Sequence, residues 1–153
     1  MSGGSPSAKS VNVLLVEDNP ADVELTRLSL EETRLAHKLH VTQDGDQAMA
    51  FLKRRAPYAA APRPDLTLLD LNLPRRDGRA VLAEIKSDER LKDIPVVILT
   101  TSAAERDILH AYRMHANSYI TKPLGVEDWI RLFRTLQEFW FGAVTLPPGP
   151  LSG

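Results

Sequence analysis

Thr67-Leu68-Leu69-Asp70-Leu71-Asn72-Leu73-Pro74 sets a carboxylate at the end of an apolar run. With Leu66, the residues before Asp70 suit a buried strand and those after it suit the strand's exit. A lone buried carboxylate is costly unless something compensates it. The rest of the chain must therefore bring compensating groups to Asp70, or the strand reading fails.

Outward from this run, short β-rich segments alternate with longer segments of helical spacing, the signature of parallel βαβ units. Val11 to Val16 reads as the first strand. Asn19 and Pro20 supply an N-cap and a first-turn proline for a helix carrying Val23, Leu25, Leu28, Leu30 and Leu35. His40 to Thr42 reads as a short second strand, and Asp46 to Arg55 as a second helix ended by Pro57, Pro62 and Pro64. Leu66 to Asp70 is the third strand and Arg79 to Ser87 the third helix. After Pro95, Val96 to Thr100 forms the fourth strand and Ala104 to His115 the fourth helix. Ser118 to Thr121 is the fifth strand, and Val126 to about Trp140 places Trp129, Ile130, Phe133, Leu136 and Phe139 at helical spacing. Five strands and five helices in this order predict a doubly wound α/β fold, a five-stranded parallel sheet covered on both faces. A single domain over 11–140 is expected, with a flexible leader over 1–10 and a C-terminal extension over 141–153. Ligands of such sheets sit outside the carboxyl ends of the strands.

Composition narrows the function. The 153 residues are 43% hydrophobic, enough for one core. With 19 basic and 20 acidic residues the net charge is -1, which disfavours wrapping nucleic acid or coating an anionic membrane. The chain has no cysteine, which excludes disulfides, thiolate catalysis and Cys-ligated metals. No apolar run is long enough to span a bilayer, and the first ten residues lack a signal-peptide core, so a cytoplasmic location is expected.

The strand ends collect the chemistry. Glu17 and Asp18 close the first strand, Asp70 the third, Thr100 the fourth, and Lys122-Pro123 follows the fifth. Three converging carboxylates invite a divalent cation, and hard oxygen ligands suit Mg²⁺. Acids, a hydroxyl and an ammonium together match phosphoryl transfer with Asp70 as nucleophile.

These residues resemble the receiver domains of bacterial two-component response regulators, which share the flavodoxin-like, CheY-like fold. The resemblance covers about Val11 to Phe139. It rests on Glu17-Asp18, on Asp70 with Leu73-Pro74 and Asp77-Gly78 beyond it, on Thr100, and on Lys122-Pro123. Thr100 and Lys122 follow Asp70 at the family's offsets of 30 and 52 positions. The resemblance implies that Asp70 accepts a phosphoryl group, that Asp18 and Asp70 bind Mg²⁺, Glu17 through water, and that the Asn72 carbonyl completes the protein ligands. It implies that Lys122 holds the phosphoryl group, with a cis peptide to Pro123 shaping the loop, and that Thr100 and Tyr119 move inward as a switch. Glu17 stands where many relatives have aspartate, and Thr101 where a small alanine is common.

Beyond the last helix, Phe139, Trp140, Phe141, Val144 and Leu146 form a polar-poor segment that reads as an interface. With the proline-bearing loop after the second helix and Thr100-Thr101-Ser102, this ending resembles the small receivers that partner phytochrome-type histidine kinases. That likeness implies a sensor histidine kinase as partner and a homodimer built on the extension. A stand-alone regulator is expected.

The plainer readings are weaker. Asp70 as a strand-terminal cap leaves its offsets to Thr100 and Lys122 unexplained. His37, His40, His110 and His115 lack ligand spacing and read as surface residues, and Lys53-Arg54-Arg55 reads as cations at a helix end. A Mg²⁺-dependent aspartyl phosphatase would carry D-x-D-x-T, but Asn72 stands two residues after Asp70. A phosphorylation-independent dimeric scaffold would not need the full set of acids, hydroxyl and lysine.

Overall fold

The computed structural model describes residues 10–101, 108, 112, 113 and 115–138. Five parallel strands, β1 (Val11–Val16), β2 (His37–Thr42), β3 (Leu66–Leu69), β4 (Val96–Thr100) and β5 (Ser118–Thr121), form one sheet in the order β2-β1-β3-β4-β5. The helices are α1 (Pro20–Glu31), α2 (Gly45–Leu52), α3 (Gly78–Ser87) and α4 (Val126–Gln137). The helix expected over 104–115 falls largely outside the described residues, as do the leader up to residue 9 and Phe139, Trp140 and Phe141.

β3 and β4 lie inside the sheet and are buried along their whole length, which is why their sequences read as continuous apolar runs. α1 and α4 cover one face, where Val13, Leu15, Leu68, Val97 and Leu99 meet Leu30, Trp129, Phe133 and Leu136. α2 and α3 cover the other, where Leu14, Val16, Leu69 and Ile98 meet Met49, Phe51, Val81, Leu82 and Ile85. Alternate residues of one strand thus feed two cores. Among the described residues, no helix is long and apolar enough to cross a membrane.

Several boundaries differ from the expectation. β2 begins at His37 because Val11 of β1 pairs with it, so the neighbouring strand recruits polar residues that carry no strand signal. α1 stops at Glu31, leaving Leu35 outside it; Thr33 Oγ1 donates to the Leu30 carbonyl at 2.7 Å and caps the end. α2 ends at Leu52. Arg54 takes a left-handed φ of 56°, and the Arg54 and Arg55 N–H groups bond back to Phe51 and Ala50, a Schellman closure made without glycine. His40 is half-buried, its ring nitrogen 3.0 Å from Asn12 Oδ1 and its ring against Phe51, and burial lowers its pKa.

Candidate functional site

Asp70 lies one residue beyond β3. Its N–H still bonds to the Val16 carbonyl at 3.1 Å, so the ladder holds its backbone while the chain turns away. The residue is only 5% exposed. The compensation that the sequence demanded is present on both oxygens: Oδ1 accepts from the Thr100 hydroxyl at 2.8 Å and the Asn72 N–H at 3.0 Å, and Oδ2 from Lys122 Nζ at 2.9 Å. β4 brings Thr100, β5 brings Lys122, and neither is near Asp70 in sequence.

β1 ends beside them. Glu17, Asp18 and Asp70 offer ligand atoms that all lie within 4.8 Å of one another, Glu17 and Asp70 buried and Asp18 exposed. Among the described residues no histidine joins such a group. Lys122 Nζ also meets Glu17 Oε1 at 2.7 Å and Asp22 Oδ2 at 2.7 Å. One ammonium therefore faces three carboxylates, with Asp18 a fourth acid nearby. Burial opposes its charge, but the hydrogen bonds to Asp22, Glu17 and Asp70 outweigh that and hold its pKa above the usual lysine range. Glu17 responds to the crowding of negative charge by holding its proton more tightly. Burial first, and then the charge of Asp70, push its pKa up from 4.5 to about 7 against the pull of Lys122. A cluster of hard oxygen donors with more negative charge than its lysine can neutralise fits a divalent cation, and the exposed Asp18 leaves a side open to solvent.

The linkage has a definite sign. A carboxyl group whose folded pKa is raised contributes stability fully below its unfolded value of 4.5 and loses it as pH rises through about 7. Without divalent cations, the urea midpoint will fall between about pH 5 and about pH 8, and Glu17→Gln will flatten that fall. A saturating divalent cation will restore the midpoint most at the alkaline end, where cation and proton no longer compete.

Asp22 carries no motif in the sequence: its position is that of any first-turn acid, although its place three residues after the Asn19 cap sets it at the same end of the sheet as Glu17 and Asp18. Tyr119 is half-buried on β5, in register with Ile98 and packed against the core on the α2 and α3 side. Pro123 does not follow a cis bond. Among the described residues the cis peptide is Ala56-Pro57, and the two isomers of an X-Pro bond differ too little in energy for sequence to choose between them. The Pro123 carbonyl instead accepts the Trp129 indole N–H at 3.0 Å, which ties the loop carrying Lys122 to α4.

A doubly wound sheet with acids, a hydroxyl and an ammonium at its strand ends defines a class of phosphoryl-handling domains. Residues 13–134 match the response regulator receiver domain, and the chain belongs to that family. It is 47% identical over 135 residues to response regulator Rcp1 of Synechocystis sp., covering 88% of this chain and 92% of Rcp1. The crystal structure of the phosphorylated cyanobacterial phytochrome response regulator RcpA superposes with a TM-score of 0.86 at 48% identity, covering 91% of this chain and 99% of that one. The Mn²⁺-bound form of Rcp1 gives 0.84 at 47% identity, covering 90% and 99%. The protein is thus a signalling domain of the two-component type, related to phytochrome response regulators.

Proposed function

We propose that Asp70 accepts a phosphoryl group from the phosphohistidine of a sensor histidine kinase, of phytochrome type by analogy with Rcp1 and RcpA. What carries this reading is the double engagement of Asp70, with Thr100 on one oxygen and Lys122 on the other, beside two further carboxylates. Asp70 attacks phosphorus, the donor's P–N bond breaks as the O–P bond forms, and an acyl phosphate results. Lys122 and the Thr100 hydroxyl stand where they can pass from the Asp70 oxygens to the incoming phosphoryl oxygens. Glu17, Asp18, Asp70 and the Asn72 carbonyl would hold Mg²⁺, which neutralises charge on the transferring group when bound. Movement of Thr100, followed by Tyr119 on the neighbouring strand, turns the covalent charge into a change of surface. The domain so read catalyses its own phosphorylation and dephosphorylation and turns over no metabolite.

The test is intact mass after incubation with Mg²⁺ and acetyl phosphate. One phosphoryl gain, abolished by EDTA, is expected; no gain would overturn the proposal. The partnership with a second copy rests on Phe139, Trp140 and Phe141, which lie outside the described residues. Trp140→Ala with Phe141→Ser should shift the protein to the monomer in sedimentation, and an unchanged dimer would locate the interface elsewhere.

A further inference from the structure

We infer that Asp22 is a positioning residue of this site: it competes for the Lys122 ammonium from α1 and so weakens its hold on the carboxylates that take the cation. The inference rests on reading Glu17, Asp18 and Asp70 as the cation's ligands. An ammonium has three N–H donors, and Lys122 spends them on Asp22 Oδ2 at 2.7 Å, Glu17 Oε1 at 2.7 Å and Asp70 Oδ2 at 2.9 Å. Two of these acceptors belong to the three-carboxylate cluster and Asp22 does not. It is therefore the one contact of Lys122 that cation binding has no need to displace.

Its placement is built in. Asn19 Oδ1 accepts from the Ala21 N–H at 2.9 Å and the Asp22 N–H at 3.3 Å, which fixes the first turn of α1 against the end of β1. The Asp22 side chain is 18% exposed and the Lys122 side chain 7%, so the pair is shielded from salt and solvent. A first-turn acid is favourable to the helix wherever it points. Helix stability alone does not require that it reach a lysine 100 residues away, nor that it share that lysine with two site carboxylates.

Two effects of removing its charge have the same sign. Lys122 is left with only cluster carboxylates as acceptors, so it competes harder with an incoming cation. The site also loses one unit of negative charge. Asp22→Asn, which keeps the side chain's shape, should weaken Mn²⁺ or Mg²⁺ binding to the unphosphorylated protein by roughly three- to tenfold. Calorimetric titration with each metal alone reads this directly, with no phosphodonor present.

Three companion variants make the outcome decisive. Asp22→Glu, which returns the charge on a longer arm, should restore most of the affinity. Glu24→Gln removes an exposed charge elsewhere on α1 and should leave the affinity unchanged. Asp18→Asn should lose the affinity altogether if the cluster is the cation site. Wild-type affinity in Asp22→Asn, or equal weakening in Glu24→Gln, would overturn the role of Asp22 alone. Undiminished binding in Asp18→Asn would instead remove the reading of the site on which it rests.

Discussion

Asp70→Asn will take up no phosphoryl group from acetyl phosphate in the intact-mass experiment, while its urea midpoint without divalent cations stays at or above that of the wild type. The two halves of this expectation have different causes. An amide is not a nucleophile toward phosphorus at neutral pH, so the chemistry is lost completely. The fold gives up the Lys122 contact on Oδ2 but keeps the rest: an asparagine oxygen can still accept from the Thr100 hydroxyl, now at 2.8 Å, and from the Asn72 N–H, now at 3.0 Å. Lys122 retains Glu17 and Asp22. The variant also relieves the negative surplus that raises the Glu17 pKa, a charge repulsion that costs stability in the cation-free state. A phosphoryl gain in this variant would move the acceptor to another residue. A large drop in midpoint would mean that the Asp70 to Lys122 pair holds the strand ends together more strongly than its role in a shared cluster implies.

Gly78→Ala will destabilise the protein by about 3 kcal/mol or more, the severe end of overpacking. A Cβ at this position would lie 2.1 Å from the Asp70 carbonyl oxygen and 2.6 Å from the Leu71 Cα. Both are backbone atoms, so no rotamer change can relieve the clash. The Gly78 N–H also donates to the Leu71 carbonyl at 3.0 Å, which pins the start of α3 to the same peptide. Either α3 withdraws or the peptide carrying Asp70 shifts, so cation affinity should fall along with stability. Gly125→Ala is the comparison: nothing lies within 4 Å of the added Cβ, so it should cost no more than about 1 kcal/mol, the loss of a glycine N-cap on α4. Guanidinium unfolding of both variants tests the contrast, and equal midpoints would show that the Asp70–Leu71 turn yields more easily than close packing allows.

Much of the site was legible because strand-end chemistry leaves a trace in one dimension. An acid that interrupts Leu66 to Leu69 has to be compensated, and Thr100 and Lys122 sit at the ends of the next two strands, where parallel winding returns the chain to the same edge. Asp77-Gly78 shows in the sequence only as a motif; its physical reason, the close approach of α3 to the Asp70 peptide, exists only in the folded chain. What stayed hidden depended on a neighbour that sequence does not name. The first three residues of β2 are His-Lys-Leu, and their extended form follows from pairing with β1. The end of α2 turns on a left-handed arginine, a conformation for which glycine is the usual signal. Asp22 has the spacing of a helix-start acid, and only the approach of Lys122 distinguishes it from any other.

Periodicity and residue type, being properties of the chain, were enough for the parallel α/β winding, for the strand ends at which chemistry could occur, and for the candidates Glu17, Asp18, Asp70, Thr100 and Lys122. It took the folded sheet to share a single ammonium among Glu17, Asp22 and Asp70, and to bury Glu17 so that its carboxyl holds a proton more tightly than an exposed one would. The reason is that charge balance depends on distance and desolvation, which arise when β1, α1, β3 and β5 meet at one edge of the sheet.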